Sequence, residues 1–183
     1  MSVSPPSLSS ERLRLVCCSE ATLAVDRRPA SALAGLLAAR IPDSWPPELY
    51  DEGARRYNLD YVRTHPDAIC WSMWYIVLKG TDGGPDLAAG LVGFKGPPND
   101  GGVVEVGYGV LDEFQRRGIA SEAIRMLIDF AFHDPRVTAV AAETYPDLVG
   151  SIGVMMRNRM RYAGAGSEPG VVRYQVSRRD WIG

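Results

Sequence analysis

Val104-Glu105-Val106-Gly107-Tyr108-Gly109-Val110-Leu111, the loop Asp112-Glu113-Phe114-Gln115-Arg116-Arg117-Gly118-Ile119-Ala120, and then Ser121-Glu122-Ala123-Ile124 form the most informative stretch of this chain. Residues 103–111 alternate as a β-strand, with Val104, Val106, Tyr108 and Val110 on one face and Glu105, Gly107, Gly109 and Leu111 on the other. The two glycines strip that second face of side chains, so a flat or extended ligand can lie against the backbone beside Glu105. From Ala120 to Phe132 the period changes to helical, with Ala120, Ile124, Leu127, Ile128 and Ala131 on one stripe. The loop between them delivers free amide N–H groups and the positive end of a helix dipole, a combination that favours an anion. A solvated Arg116–Arg117 pair before an ordinary helix is the plainer reading of that loop.

Outward from this unit, Leu13 and Leu15 mark a short strand, and a helix is expected from Ala21 to Arg40, ending before Pro42. Ile41-Pro42-Asp43-Ser44-Trp45-Pro46-Pro47 is a stiff non-helical crossing, because its prolines fix φ and bias the residues before them. A second helix is expected over 49–64. Trp71–Leu78 and Leu87–Lys95 flank the turn Thr81–Asp86 as a hairpin. Downstream come a strand over 137–143, a short helix over 148–158 and a last strand over 171–176. The fold class is α+β (α/β), a mixed sheet flanked by helices. Residues 1–10, rich in Ser and Pro, are expected to be a flexible leader, and 11–183 a single domain.

Composition narrows the functions. The 183 residues are 46% hydrophobic and 23% charged with a formal net charge of −2, which describes an ordinary globular protein. Near neutrality argues against a nucleic-acid binder, which needs a basic face to displace counterions. No apolar run approaches the roughly 18 residues of a membrane helix, and the start lacks the pattern of a signal peptide, so neither a membrane partner nor secretion is expected. Cys17, Cys18 and Cys70 match no disulfide framework or metal spacing; they read as buried small apolar residues in a reducing cytoplasm, and no metal is expected. The loop at 115–120 lacks a Gly-Lys-Ser/Thr ending and no Gly-x-Gly-x-x-Gly opens a βαβ unit, which removes the main support for nucleotide hydrolysis and hydride transfer.

The strand 104–110, the Gln115-x-x-Gly118-x-Ala120 loop, Ser121-Glu122-Ala123 opening the helix and Ala131-Phe132 closing it resemble the core motif of the GNAT superfamily of acetyl-CoA-dependent N-acetyltransferases. Pro146-x-x-x-x-Ser151-Ile152-x-Val154 resembles the branch related to ribosomal-protein N-terminal acetyltransferases. The resemblance spans about Glu11 to Tyr174. It implies a GNAT-like, mostly antiparallel central sheet whose central strands, 104–111 and 137–144, splay apart to admit a thioester. It implies that amides of Gln115, Arg116, Arg117, Gly118, Ile119 and Ala120 grip the coenzyme A pyrophosphate, and that Val110 and Leu111 offer backbone hydrogen bonds to the pantetheine arm. Ser121 either caps the helix or touches phosphate, and Ser151 joins the coenzyme contacts. The implied activity is an acyltransferase moving acetyl from acetyl-CoA to a primary amine, a small molecule or a peptide N-terminus, by direct attack in a ternary complex. Many such proteins pair, and the sequence leaves a homodimer open.

An alkyl amine with pKa near 10.4 costs about 4–5 kcal/mol to deprotonate at pH 7, so a base must help. Glu105, the one carboxylate on the bare face, is the candidate, directly or through water, with an ion pair to an arginine as its structural alternative. Backbone N–H groups near Val110 and Leu111 would meet the developing oxyanion. The sequence departs from the family pattern at Leu148, Arg159-Met160 and Met155, the last standing where many members place a tyrosine acid. Tyr145 is the substitute acid, or else a packed aromatic. Trp45, Trp74 and Tyr108 are candidate acceptor walls and Glu168 a candidate amine ligand. A non-catalytic acyl-CoA-binding module is the alternative reading.

Overall fold

The computed structural model describes residues 6–26, 30–48 and 50–182. In chain order the elements are β1 (Ser7–Ser9), β2 (Leu13–Cys17), α1 (Glu20–Val25), α2 (Ala30–Leu37), α3 (Glu52–Thr64), β3 (Met73–Leu78), β4 (Leu87–Phe94), β5 (Val103–Val110), α4 (Ile119–His133), β6 (Ala139–Thr144), α5 (Val149–Arg157), β7 (Arg161–Ala165), β8 (Val172–Ser177) and α6 (Arg178–Ile182). One eight-stranded sheet runs β1-β2-β3-β4-β5-β6-β8-β7. Every neighbouring pair is antiparallel except β5 and β6, which are parallel.

Strand alternation builds a core on each face of the sheet. Leu13, Leu15, Trp74, Ile76, Val104 and Val106 meet the apolar stripe of α4, where Ile124, Leu127 and Ile128 are fully buried. Val16, Tyr75, Val77 and Leu91 point the other way, under Leu33 and Leu37 of α2 and Leu59 and Val62 of α3. Each such aliphatic contributes roughly 1.5–3 kcal/mol by leaving water. Arg178 fastens the far end of α4 by donating to the carbonyls of Phe132, Asp134 and Val137.

Several elements differ from their sequence expectation for local reasons. The single helix expected over 21–40 is α1 and α2; Ser19 and Thr22 form a capping box that starts α1 at Glu20, and residues 27–29 lie outside the described residues. Asp51 accepts from the Ala54 N–H and starts α3 at Glu52 rather than at residue 49, which also lies outside them. Pro66–Trp71 winds as a 3₁₀ turn, so the hairpin strand begins at Met73. Within the leader, Ser7–Ser9 adds an edge strand to β2, and Leu8 packs on the first core. Strand β7 and helix α6 lack the patterns that announce them: β7 is exposed along most of its length and bulged near Gly164.

The parallel ladder is short. β5 and β6 pair at Val103–Ala139, Val104–Val140 and Glu105–Ala141 and then diverge. β8 closes the other side of β6, opposing Arg173 to Glu143. There Arg173 Nη1 lies 2.7 Å from Glu143 Oε1, while the Ser167 N–H and hydroxyl donate to Oε2 at 3.0 and 2.6 Å. This ties the 166–171 loop to the sheet. Although desolvation pushes Glu143 upward, the bonds from Ser167 and Arg173 outweigh it and hold the carboxyl at about 2.

A carboxyl held low in the fold contributes stability that is complete above its unfolded value, about 4.3, and lost as pH falls toward 2. Chemical denaturation of Glu143→Gln should give a lower stability at pH 7 and a shallower loss than the wild type across that acid window. Equal acid slopes in the two proteins would remove this role.

Candidate active site

Where β5 and β6 part, a cleft of about 1100 Å³ opens. Its walls are the end of β5 (Tyr108–Val110) with Leu111, the turn from Asp112 to Gly118, the first turn of α4, one side of α5 and the segment holding Ser44, Pro46, Pro47 and Glu48. A volume of this order suits an elongated ligand rather than a single small molecule.

At the α4 end, the turn is set by backbone that side chains rarely adopt. Arg116 and Gly118 have φ of 59° and 78°, and Gly118 is the residue that makes the second bend inexpensive. Gln115 folds back, its Nε2 donating to the Val110 carbonyl at 3.1 Å and to Asp112 Oδ1 at 2.8 Å. No side chain caps α4, and the amides from Arg116 to Ser121 have no acceptor among the described residues. Ser121 does not cap; its Oγ is buried without a partner beside the cleft. Glu122 points away, receiving Ser10 Oγ at 2.6 Å and Arg12 Nε at 2.9 Å, while Arg12 Nη1 reaches the Arg117 carbonyl. The mouth therefore holds unsatisfied donors on a fixed frame, an arrangement suited to phosphate oxygens.

The expected arginine pair divides. Arg116 lines the cleft, whereas Arg117 lies over the Phe114 ring, 5.8 Å from its centroid. A second cleft guanidinium comes from Arg157, which sequence reading missed. The signal was present in α5: Gly150, Ser151, Gly153, Val154 and Arg157 recur at helical spacing, and the glycines bare the stripe that ends in the arginine.

At the strand end, the ladder to β4 fixes which backbone groups are free. The Leu111 N–H donates to the Ala89 carbonyl at 3.0 Å, so it is occupied. Val110 sits opposite Gly90 at a position that turns its own amide toward the gap. A Cβ on Gly107 would meet nothing within 4 Å, and one on Gly109 only Pro47, at 3.4 Å. The bare ribbon is thus open at Gly107 and roofed at Gly109. Glu105 lies one step before the opening, on the same face, in contact with the Lys95 ammonium and 3.6 Å from Arg173 Nη1. Its ion pairs are with a lysine and an arginine at once, and it does not line the cleft itself.

The aromatics sort differently from the sequence expectation. Tyr108 lines the cleft, donates to the Ser151 carbonyl at 3.0 Å and shares a 2.8 Å hydrogen bond with Ser151 Oγ. Burial pushes its phenol above the usual tyrosine range, partly offset by Ser151. Tyr145 is half exposed and outside the cleft lining, and Met155 is buried in the core. Trp74 is fully buried with its Nε1 on the Cys70 carbonyl, a core position. Trp45 donates to Asp26 Oδ1 at 3.0 Å and stacks on Tyr75, and its neighbours Ser44, Pro46 and Pro47 form the wall. Glu168 is exposed on the 166–171 loop, away from the cleft. Buried Asp26, which also accepts from Tyr75, carries no sequence signal and anchors the wall through Trp45.

A family model for an acetyltransferase (GNAT) domain matches residues 27–161. No curated protein matches the chain. Among solved structures, a ribosomal L7/L12 alpha-N-protein acetyltransferase, RimL, in complex with coenzyme A, superposes with a TM-score of 0.68 at 20% identity, covering 96% of this chain and 99% of that one. An acetyltransferase of the GNAT family from Bacillus anthracis gives 0.63 at 17% identity, over 95% and 99%. The aminoglycoside acetyltransferase AAC(6')-Ib in complex with coenzyme A gives 0.58 at 19%, over 93% and 97%. These likenesses show the same fold. With the family match covering well over half the chain, this protein belongs to the GNAT family and is an acetyltransferase.

Proposed function

We propose that this chain uses acetyl-CoA and acetylates a primary amine, a small molecule or a peptide N-terminus, by direct attack while both substrates are bound. The cleft between the end of β5, the head of α4 and α5 carries this reading: it ends at one extreme in unpaired amides with an unpartnered Ser121 Oγ, and at the other beside Tyr108 and Val110. The residues fit the coenzyme. Amides of 116–121, Ser121, Arg116 and Arg157 would hold its phosphates, and Gly109 and the Val110 backbone its extended arm. The coenzyme supplies the activated acetyl group. That two structural relatives were solved with coenzyme A supports the assignment.

The chain's own groups then divide the proton traffic. Glu105, oriented by Lys95 and Arg173, takes the amine proton across bare Gly107 through a water. The Val110 N–H faces the oxygen on which charge develops. Tyr108, kept protonated by burial and relayed by Ser151, is better placed than exposed Tyr145 to donate to the leaving sulfur.

Acetyl-CoA should raise the melting temperature of the wild type, and Arg116→Ala or Arg157→Ala should each weaken its binding about tenfold, the order expected for losing a charge-assisted hydrogen bond. Calorimetric titration with acetyl-CoA checks this; a wild type indifferent to the coenzyme would end the proposal.

In an amine panel assayed by acetyl-CoA-dependent thiol release, Glu105→Gln and Tyr108→Phe should each lower kcat about 100-fold or more while coenzyme binding persists, the scale of general acid–base catalysis. Tyr145→Phe should stay near wild type. Coenzyme binding with no thiol release from any amine would leave a binding module only, and full activity in Tyr108→Phe would return the acid role to Tyr145.

A further inference from the structure

Two of the three cysteines meet at a place unrelated to the cleft. Cys17, the last residue of β2, is fully buried on the face shared with α4. Its thiol donates toward the Ile69 carbonyl at 3.5 Å and toward Cys70 Sγ at 3.8 Å. Cys18 points into the opposite core and pairs with Ser72 Oγ at 3.1 Å, so it is not the partner. Cys70 is partly exposed in the 3₁₀ turn between α3 and β3. Cys70 is therefore the more accessible of the two residues, and the buried Cys17 thiol stands behind it within reach of its sulfur.

We propose that Cys17 and Cys70 form a two-thiol site that is oxidised by hydroperoxides and closes to a reversible disulfide. The Cys70 thiolate attacks one peroxide oxygen, the O–O bond breaks, and the other oxygen leaves as an alcohol or water after taking a proton. Cys70 is now a sulfenic acid, oxidised by two electrons as the peroxide is reduced by two. Cys17 sulfur, giving up its proton, then attacks Cys70 sulfur; the S–O bond breaks and water leaves. In sum, two thiols and one hydroperoxide yield a disulfide, an alcohol and water.

The geometry supplies each requirement. The hydrogen bond from Cys17 favours the charged form of Cys70, drawing that thiol to about 7, within the range of reactive thiolates. Closing 3.8 Å to the roughly 2.05 Å of a disulfide asks for under 2 Å of sulfur movement. The movable partner is Cys70. β2 is held on both sides, by the Cys17 N–H on the Pro6 carbonyl and by pairing with Trp74, whereas the turn at Pro66–Trp71 has no side-chain cap at its start and is a 3₁₀ turn tied down by Trp74 Nε1 on the Cys70 carbonyl and Ser72 Oγ on the Ile69 carbonyl, which leaves the Cys70 side chain as the part that can rotate.

The test uses the full chain, exposed to a small excess of hydrogen peroxide, alkylated after denaturation and mapped by mass spectrometry without reduction. The expected product is one peptide pair joined through Cys17 and Cys70, lighter by two hydrogens and split by dithiothreitol. In the untreated native protein, Cys70 should react with iodoacetamide at least about tenfold faster than Cys17 or Cys18 at pH 7. Cys18→Ser should form the same bond, while Cys17→Ser should leave Cys70 as a dimedone-reactive sulfenic acid or its higher oxides. The proposal falls if wild-type Cys70 gains oxygen while Cys17 stays alkylatable, if the bond joins Cys17 to Cys18, or if all three thiols survive peroxide. The wild-type arm decides the matter even where a variant does not fold.

Discussion

Three residue pairs hold β5 against β6, and beyond Glu105–Ala141 the two strands have no hydrogen bonds to each other. A parallel ladder that stops inside a sheet leaves backbone donors and acceptors facing a gap, and such groups are costly unless something satisfies them. Tyr108 bridges part of that gap to α5 through Ser151, and Gln115 returns to the Val110 carbonyl. What remains unsatisfied, the Val110 amide and the row at the head of α4, borders the cleft. The cleft thus sits beside an interruption of the sheet, where the β5–β6 ladder stops.

The frame is rigid where it must be. Core packing fixes α4 against the sheet, and Glu122 and Arg178 fasten its two ends to β1–β2 and to the β6–β8 region. The opposite wall depends on different physics. Three closely spaced prolines stiffen the 42–47 segment, and a buried carboxylate holds it through one indole N–H while the Trp45 ring packs against both cores. The two walls also touch directly, Ser44 Oγ donating to Glu113 Oε1 at 2.6 Å.

The sequence made the strand–loop–helix unit legible because glycine spacing, alternation and helical period all point to one local structure, and the loop's lack of a capping side chain is equally local. Residues whose meaning depends on distant partners were harder to read. Glu105 stands out as a lone carboxylate, yet its contacts with Lys95 and Arg173 join three strands. Tyr108 gives no sign of reaching Ser151, and Trp74 and Trp45 look alike until burial separates a core ring from the anchor of a wall. Arg157 was the exception, visible in principle as the end of a small-residue stripe. The breaks between α1 and α2 and before α3 follow from capping residues, Ser19 and Asp51, that compete with hydrophobic periodicity.

The clasp between Ser10, Arg12 and Glu122 has a practical corollary for anyone designing a minimal version of this enzyme. The span matched by the family model begins at residue 27, but the guanidinium that steadies the turn before α4 is contributed fifteen positions earlier. Trimming to the matched span would excise two strands together with that brace on the cleft. Residues ahead of the matched span are thus woven into the same sheet and the same cleft wall.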